Sequence, residues 1–188
     1  MKTLRWSSRD LELFPDDGKR YEIIDGELYV SKQPHWQHQF VTGRIFQLLQ
    51  TWSDQTTIGM ANLAPGLIFA DDNDVVPDVI WISHDRLLTA LWEDGKLHTS
   101  PELVVEVLSP GSSNERRDRE LKLKLYSRRG ADEYWIVNWR EQRIEVYRRQ
   151  NAELTLQETL NEDNLFQSPL LPGFSCHVRQ FFAGIAKP

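Results

Sequence analysis

One stretch constrains the fold more than any other. Leu103-Val104-Val105-Glu106-Val107-Leu108 is followed by a helical span over 114–129, and then by Glu133-Tyr134-Trp135-Ile136-Val137-Asn138. Gly130 sits just past the helix, where a left-handed C-cap favours a residue without Cβ. Strand, helix, strand is a βαβ unit, and its crossover makes the two strands parallel. The expectation is an α/β protein, read economically as one domain over residues 1–188. A chain of this length buries roughly 70% of the surface its unfolded form exposes, so it needs no covalent staples.

The flanking sequence fits that frame. Ser8 ahead of Leu11 opens a short helix, and Pro15-Asp16-Asp17-Gly18 ends it as a turn. Tyr21–Ile24 and Glu27–Val30 are β-prone runs on either side of Asp25-Gly26, a strong hairpin signal. From His35 to Trp52 the residues Phe40, Val41, Ile45, Leu48, Leu49 and Trp52 recur at helical spacing. Gly66–Ala70 reads as a strand, Asp71–Asp74 as a turn, and Val75–Ile82 as a strand holding Pro77, which belongs at a strand start, edge or bulge. Residues 86–97 form a helical or loop excursion. Arg143–Tyr147 and Glu153–Glu158 are further strands, Pro172-Gly173-Phe174 is a turn, and a helix over Val178–Ile185 closes the chain.

Composition excludes several classes. The one cysteine, Cys176, cannot form an internal disulfide or a cysteine-based zinc site, and reads as a small buried side chain. Trp52, Trp81 and Trp135 lie in strand-like or helical runs and read as core. No apolar leader core opens the sequence and no run approaches the roughly 20 apolar residues of a membrane span, so the expectation is a cytoplasmic protein with no membrane partner. Net charge is −6, which disfavours nonspecific nucleic-acid binding. Residues 115–129, however, carry seven positive and three negative side chains. That run is either a basic patch or a solvated helix face.

Two acids sit where acids are disfavoured. Glu106 interrupts LVVEVL, an apolar run of the kind found in strands buried on both faces. Asp78 interrupts VVPDVIWI in the same way. A buried carboxylate costs several kcal/mol unless it is paired. Two on neighbouring strands repel, and a hard divalent cation such as Mg2+ relieves the repulsion. Lys122 shares a helical stripe with Asp118 and Tyr126, four residues away on either side. A crossover helix on the sheet would aim Lys122 at the two acids, although a solvent-facing lysine fits the same spacing.

Together these segments resemble the Uma2 family, also called DUF820, within the PD-(D/E)xK nuclease superfamily. The resemblance rests on Val76-Pro77-Asp78-Val79, on Val105-Glu106-Val107-Leu108-Ser109-Pro110, on the Asp118, Lys122 and Tyr126 stripe, and on Glu133–Val137. It extends to Arg20–Glu27, to His38 and to Leu171-Pro172-Gly173-Phe174. It implies a restriction-endonuclease-like fold, a mixed α+β central sheet flanked by helices, with an N-terminal hairpin. It implies catalytic Asp78, Glu106 and Lys122, and a metal held by Asp78, Glu106 and the Val107 carbonyl. The superfamily lysine normally stands two residues past the acid. Here that position is Leu108, and the resemblance moves the role to Lys122. Glu22, as a third carboxylate, and His38, as a partner of the site or of phosphate, are secondary candidates. Glu102 is read as a residue at the start of its strand.

The expected activity is Mg2+-dependent cleavage of nucleic acid, DNA in the first place, with Mn2+ as a substitute. Arg116, Arg117 and Arg119 would meet the phosphate backbone. A homodimer follows from the resemblance, because duplex-cutting enzymes often pair two sites about a two-fold axis. The alternative is an inactive nuclease-fold module that binds nucleic acid or a protein partner, favoured by the lost local lysine and the acidic net charge. A two-carboxylate glycosidase is a third class, but nothing in the sequence marks a sugar cleft.

Overall fold

The computed structural model describes residues 4–185, so the first three residues of the N-terminal stretch and the last three of the chain lie outside the described residues. Helix α1 (Ser8–Leu11) opens at Ser8 with Ser7 as its cap, and the Asp10 carboxylate reaches back to the Ser7 N–H at 2.7 Å. Strands β1 (Arg20–Ile24) and β2 (Glu27–Ser31) form the expected hairpin. Asp25 and Gly26 at its tip have φ of 51° and 74°, as a two-residue type I′ turn requires. Helix α2 (Trp36–Thr56) begins after His35 and buries Val41, Ile45, Leu49 and Trp52.

Strand β3 (Gly59–Leu63) was not legible from alternation, since only Gly59 and Ala61 of its five residues are buried. Gly59 is required there: a Cβ would stand 2.4 Å from the Ile82 carbonyl and 2.5 Å from the Trp81 ring. β4 (Leu67–Ala70) follows. The expected turn over Asp71–Asp74 is confined to Asp71 and Asp72, and the expected single strand Val75–Ile82 is in fact two, β5 (Asn73–Val75) and β6 (Val79–Ser83). They belong to different sheets. Pro77 lies between them, and its missing N–H ends one ladder before the next begins.

Helix α3 (His84–Ala90) leads to β7 (Leu103–Val107). The expected helix over 114–129 exists but is not uniform. It comprises α4 (Ser112–Arg116), a π-helical turn over Arg117–Lys122 and α5 (Leu123–Arg129), closed by left-handed Gly130. Then come β8 (Glu133–Asn138), β9 (Arg143–Gln150) and a longer β10 than expected (Glu153–Asn161). A small pair, β11 (Leu165–Gln167) and β12 (Ser175–His177), precedes α6 (Arg179–Phe182), which is shorter than the expected 178–185 helix.

The central sheet has the order β10-β9-β8-β7-β6-β3, with β7 and β8 parallel and the other pairs antiparallel. A second sheet, β2-β1-β5-β4, lies beside it. Alternation along the central strands sends Val79, Trp81, Leu103, Val105, Trp135 and Val137 into one core with α2. Ile80, Ile82, Val104, Tyr134 and Ile136 enter a second core with Leu125 and Tyr126 of α5. Glu106 shares the parity of Val104 and so points towards the crossover helix. Trp52, Trp81 and Trp135 are core residues as expected, and Cys176 is buried, with burial pushing its thiol up to about 12. No helix among the described residues is long and apolar enough to cross a membrane.

Trp135 packs edge-on against Phe166 at 4.8 Å and donates to Glu133 Oε1 at 2.6 Å. Trp135→Ala is expected to lower stability by about 3–5 kcal/mol, by emptying this volume and stripping a donor from a buried acid. Trp92→Ala, at a 59% exposed position, should change it by less than about 0.5 kcal/mol. Urea unfolding followed by tryptophan emission tests both, and near-equal midpoints would contradict the assignment.

Candidate active site

Asp78 follows Pro77 directly, where the chain leaves one sheet and enters the other. β6 pairs antiparallel with β7, placing Val79 opposite Val105. One step further, Asp78 stands opposite Glu106, so both carboxylates face the same side. Adjacency of the two strands, which the sequence reading inferred, is therefore a property of the fold.

Three elements hold Asp78. Its Oδ2 accepts from the Val107 N–H at 2.9 Å and faces His38 Nε2 at 3.1 Å. Its Oδ1 accepts from Arg20 at 3.1 Å, and the same Arg20 nitrogen holds the Val76 carbonyl at 3.2 Å. Burial opposes ionisation, yet His38 and Arg20 hold the Asp78 carboxyl well below the usual range. In return, and against its own burial, His38 is raised by Asp78.

Glu106 is held from the helix. Lys122 Nζ donates to its Oε1 at 2.9 Å, and the Tyr126 hydroxyl donates to the same oxygen at 3.0 Å. Lys122 also meets Glu22 Oε1 at 2.8 Å. Lys122 is 1% exposed, as is Glu22, so one ammonium lies between two buried carboxylates. Glu22 has further support from the Val76 N–H at 2.9 Å and from Arg117 at 3.7 Å, and these cations hold it below its ordinary value despite burial. Glu106 lacks that support. Burial, with the carboxylates of Asp78, Asp118 and Glu22, pushes it up to about 8 against the pull of Lys122. Burial lowers Lys122, but Glu106, Glu22 and Asp118 outweigh it, and the amine stays charged.

The π-helical turn turns Arg117, Asp118 and Lys122 inward together. Such turns free a backbone carbonyl, and here the Tyr134 hydroxyl donates to the Asp118 carbonyl at 3.0 Å. Arg117 bonds Ser31 Oγ at 2.7 Å and Asp118 at 3.3 Å. The three arginines grouped by the sequence reading thus diverge. Arg117 lines the cleft, Arg116 is exposed and paired with Glu120 at 2.9 Å, and Arg119 is paired with Glu145.

Asp78, Glu106 and Val107 line a cleft of about 360 Å3, with Lys32, His38 and Arg117 among its walls. Glu22 and Lys122 lie behind this surface, and Leu108 is apolar core. Among the described residues no three acidic, histidine or cysteine side chains form a ready cage. The donors still suit a hard cation. Asp78 Oδ1 takes one hydrogen bond and Glu106 Oε2 takes none from the described residues. Mg2+ typically binds through one or two carboxylates, keeping water and substrate phosphate in its other positions. This set of oxygens fits that habit.

Sequence reasoning named Asp78, Glu106 and Lys122, with Glu22 and His38 as secondary candidates, and the fold brings these five together, but it gave Arg20 no role. A signal existed: Arg20 is two residues from Glu22 on one strand, so an inward Glu22 places Arg20 on the same face. Glu102, read as the start of a strand, is a clamp, accepting from Ser83 N–H at 3.1 Å and Ser83 Oγ at 2.5 Å.

With this geometry in view, comparison with known proteins is informative. The Uma2 family model, described as "Putative restriction endonuclease", matches residues 8–179. Among solved structures, a protein from Anabaena variabilis ATCC 29413, described as "a putative nuclease belonging to DUF820", superposes with a TM-score of 0.76 at 20% identity, covering 94% of this chain and 97% of that one. No curated protein matches.

The charge arrangement has a sign that can be checked. Glu106 is raised from an ordinary 4.5 to about 8, and Asp118, by burial, from 3.8 to about 6. A raised carboxyl contributes stability that is full below its unfolded value and is lost as pH rises through its folded value. The melting temperature should therefore fall between about pH 4.5, the ordinary Glu106 value, and about pH 8, its value in the fold. Glu106→Gln, which cannot ionise, should flatten that fall. Scanning calorimetry across the window checks this, and parallel profiles for the two proteins would contradict it.

Proposed function

Because this chain belongs to the Uma2 family, we propose that the Asp78–Glu106 cleft hydrolyses phosphodiester bonds in DNA, with Mg2+ as its cofactor and Mn2+ as a substitute. The observation that carries the reading is that Asp78, just ahead of β6, and Glu106 on the neighbouring β7 line one cleft, with Lys122 bonded to Glu106 at 2.9 Å. Asp78, Glu106 and the Val107 carbonyl would hold the metal. When bound, the ion supplies Lewis-acid polarisation of a phosphoryl oxygen and a more acidic water.

The protein's own groups then have separable tasks. Arg20, His38 and the Val107 N–H fix the Asp78 carboxylate in its ionised form. Lys122 is held protonated, so it is a donor and a fixed positive charge rather than a base. It stabilises negative charge developing in the cleft and fixes Glu106 Oε1, leaving Oε2 for the site. Tyr126 secures the same oxygen. Glu22 keeps the ammonium in place and does not line the cleft. Of the three arginines only Arg117 lines the cleft, where Asp118, Glu22 and Ser31 already hold it.

One observation favours an inactive binding module instead: both acids already have internal cationic partners, Arg20 and His38 on one and Lys122 on the other. Calorimetric titration with Mg2+ and Mn2+ separates the two readings, because an active site takes up the ion and a relic does not.

Asp78→Ala and Glu106→Ala should abolish Mg2+-dependent cleavage of plasmid and single-stranded DNA while the far-ultraviolet spectrum persists. Lys122→Met should lower kcat by about 100-fold or more, the usual loss of one electrostatic stabiliser. Unchanged cleavage in both alanine variants would sink the assignment.

A further inference from the structure

A second cleft, of about 450 Å3, adjoins the first and shares Ser31, Lys32, Pro34 and Ser109 with it. His35 stands in its wall and is exposed. The imidazole stacks on Trp139 with centroids 5.2 Å apart and planes 12° from parallel. Both rings are fixed. Trp139 donates to the Leu108 carbonyl at 3.0 Å, two residues beyond Glu106, and His35 Nδ1 accepts from the Gln37 N–H at 3.4 Å. A rigid aromatic ledge thus begins at the backbone that carries the catalytic acid.

The charges nearby say what this ledge suits. Gripping a duplex draws on many free lysines and arginines. The chain carries −6, and Arg116, Arg117 and Arg119 all already pair with acids. Lys32, which lines both clefts, makes no ion pair with a described residue. One free cation beside one exposed aromatic ring is weak equipment for two phosphate backbones. It suits one unpaired strand, where a base stacks and a single phosphate is neutralised. The first cleft, about 360 Å3, lies in the lower part of the range that encloses one drug-sized group.

We propose that the second cleft binds an unpaired stretch of DNA beside the bond to be cut, stacking a base on the His35 ring that Trp139 backs, with Lys32 against the adjoining phosphate. The preferred substrate is then single-stranded or locally unpaired DNA. This rests on the nuclease reading for the bond cut, but not for the binding.

Fluorescence anisotropy in metal-free buffer, with one labelled oligonucleotide alone and annealed to its complement, tests it. The single strand should bind at least about tenfold more tightly than the duplex. His35→Asn should weaken single-strand binding about tenfold, the scale of one base–aromatic stack, and leave duplex binding unchanged. Asparagine removes the ring but still caps the helix that His35 caps, so this variant keeps its fold. Equal affinity for the two forms, or wild-type affinity in His35→Asn, overturns the proposal. A cleavage assay with Mg2+ then separates the two readings. Equal cutting of duplex and single strand overturns the ledge and keeps the nuclease. Preferential single-strand binding without any cutting keeps the ledge and overturns the nuclease.

Discussion

The buried ammonium of Lys122 ties together three parts of the chain that are far apart in sequence. It meets Glu22 at 2.8 Å on the hairpin strand and Glu106 at 2.9 Å on the central sheet, and is itself carried on the crossover helix. None of the three could be buried alone, since an uncompensated charge in a low-dielectric interior is worth several kcal/mol against folding. The two sheets and the helix are thereby fixed in one relative arrangement. Breaking such a pair by removing one member costs about 3–5 kcal/mol, because the remaining charge is stranded. The same contact that orders the fold also orders the site.

Pro77 is the second constraint. Strand β5 pairs in the smaller sheet and β6 in the larger, and the two residues before Asp78 carry the chain across. Val76 uses both of its backbone groups there, donating to Glu22 and accepting from Arg20. Asp78 therefore emerges at a junction with partners from both sheets and from α2. A residue inside a continuous strand would have neighbours from one sheet only. The break in the ladder is what allows Arg20, His38 and the Val107 N–H to converge on one carboxylate.

Much of this was legible in the sequence. The βαβ unit, the Asp25-Gly26 hairpin and the apolar face of α2 follow from local patterns, and the two acids stand out because each interrupts an apolar run. The remainder depends on information that local patterns do not carry. β3 is an edge strand that buries only Gly59 and Ala61 and exposes Met60 and Leu63, so its apolar residues do not mark its buried face. The π-helical turn has no compositional mark, yet it decides that Arg117 faces inward while Arg116 and Arg119 do not. The three arginines that the sequence groups together therefore face different ways. The inward direction of Glu22 could not be settled from alternation alone, since a hairpin strand offers two faces and only the packed partner selects one.

The place of Lys122 on the helix also sets the electrostatics of the site. Four carboxylates, Asp78, Glu106, Glu22 and Asp118, lie in or behind the cleft with three permanent cations, Arg20, Arg117 and Lys122. The cluster is one positive charge short. A proton can make up the difference, and His38 and Glu106 both hold theirs more firmly than usual. So can a metal ion. A lysine two residues after Glu106, at the position of Leu108, would instead have entered the apolar core that β7 shares with Ile136 and Tyr134. On the helix, the ammonium reaches Glu106 from the side away from the cleft and takes only one of its oxygens. The other oxygen is left without a hydrogen bond from the described residues, on a carboxylate that lines a cleft also walled by Arg20, His38 and Arg117.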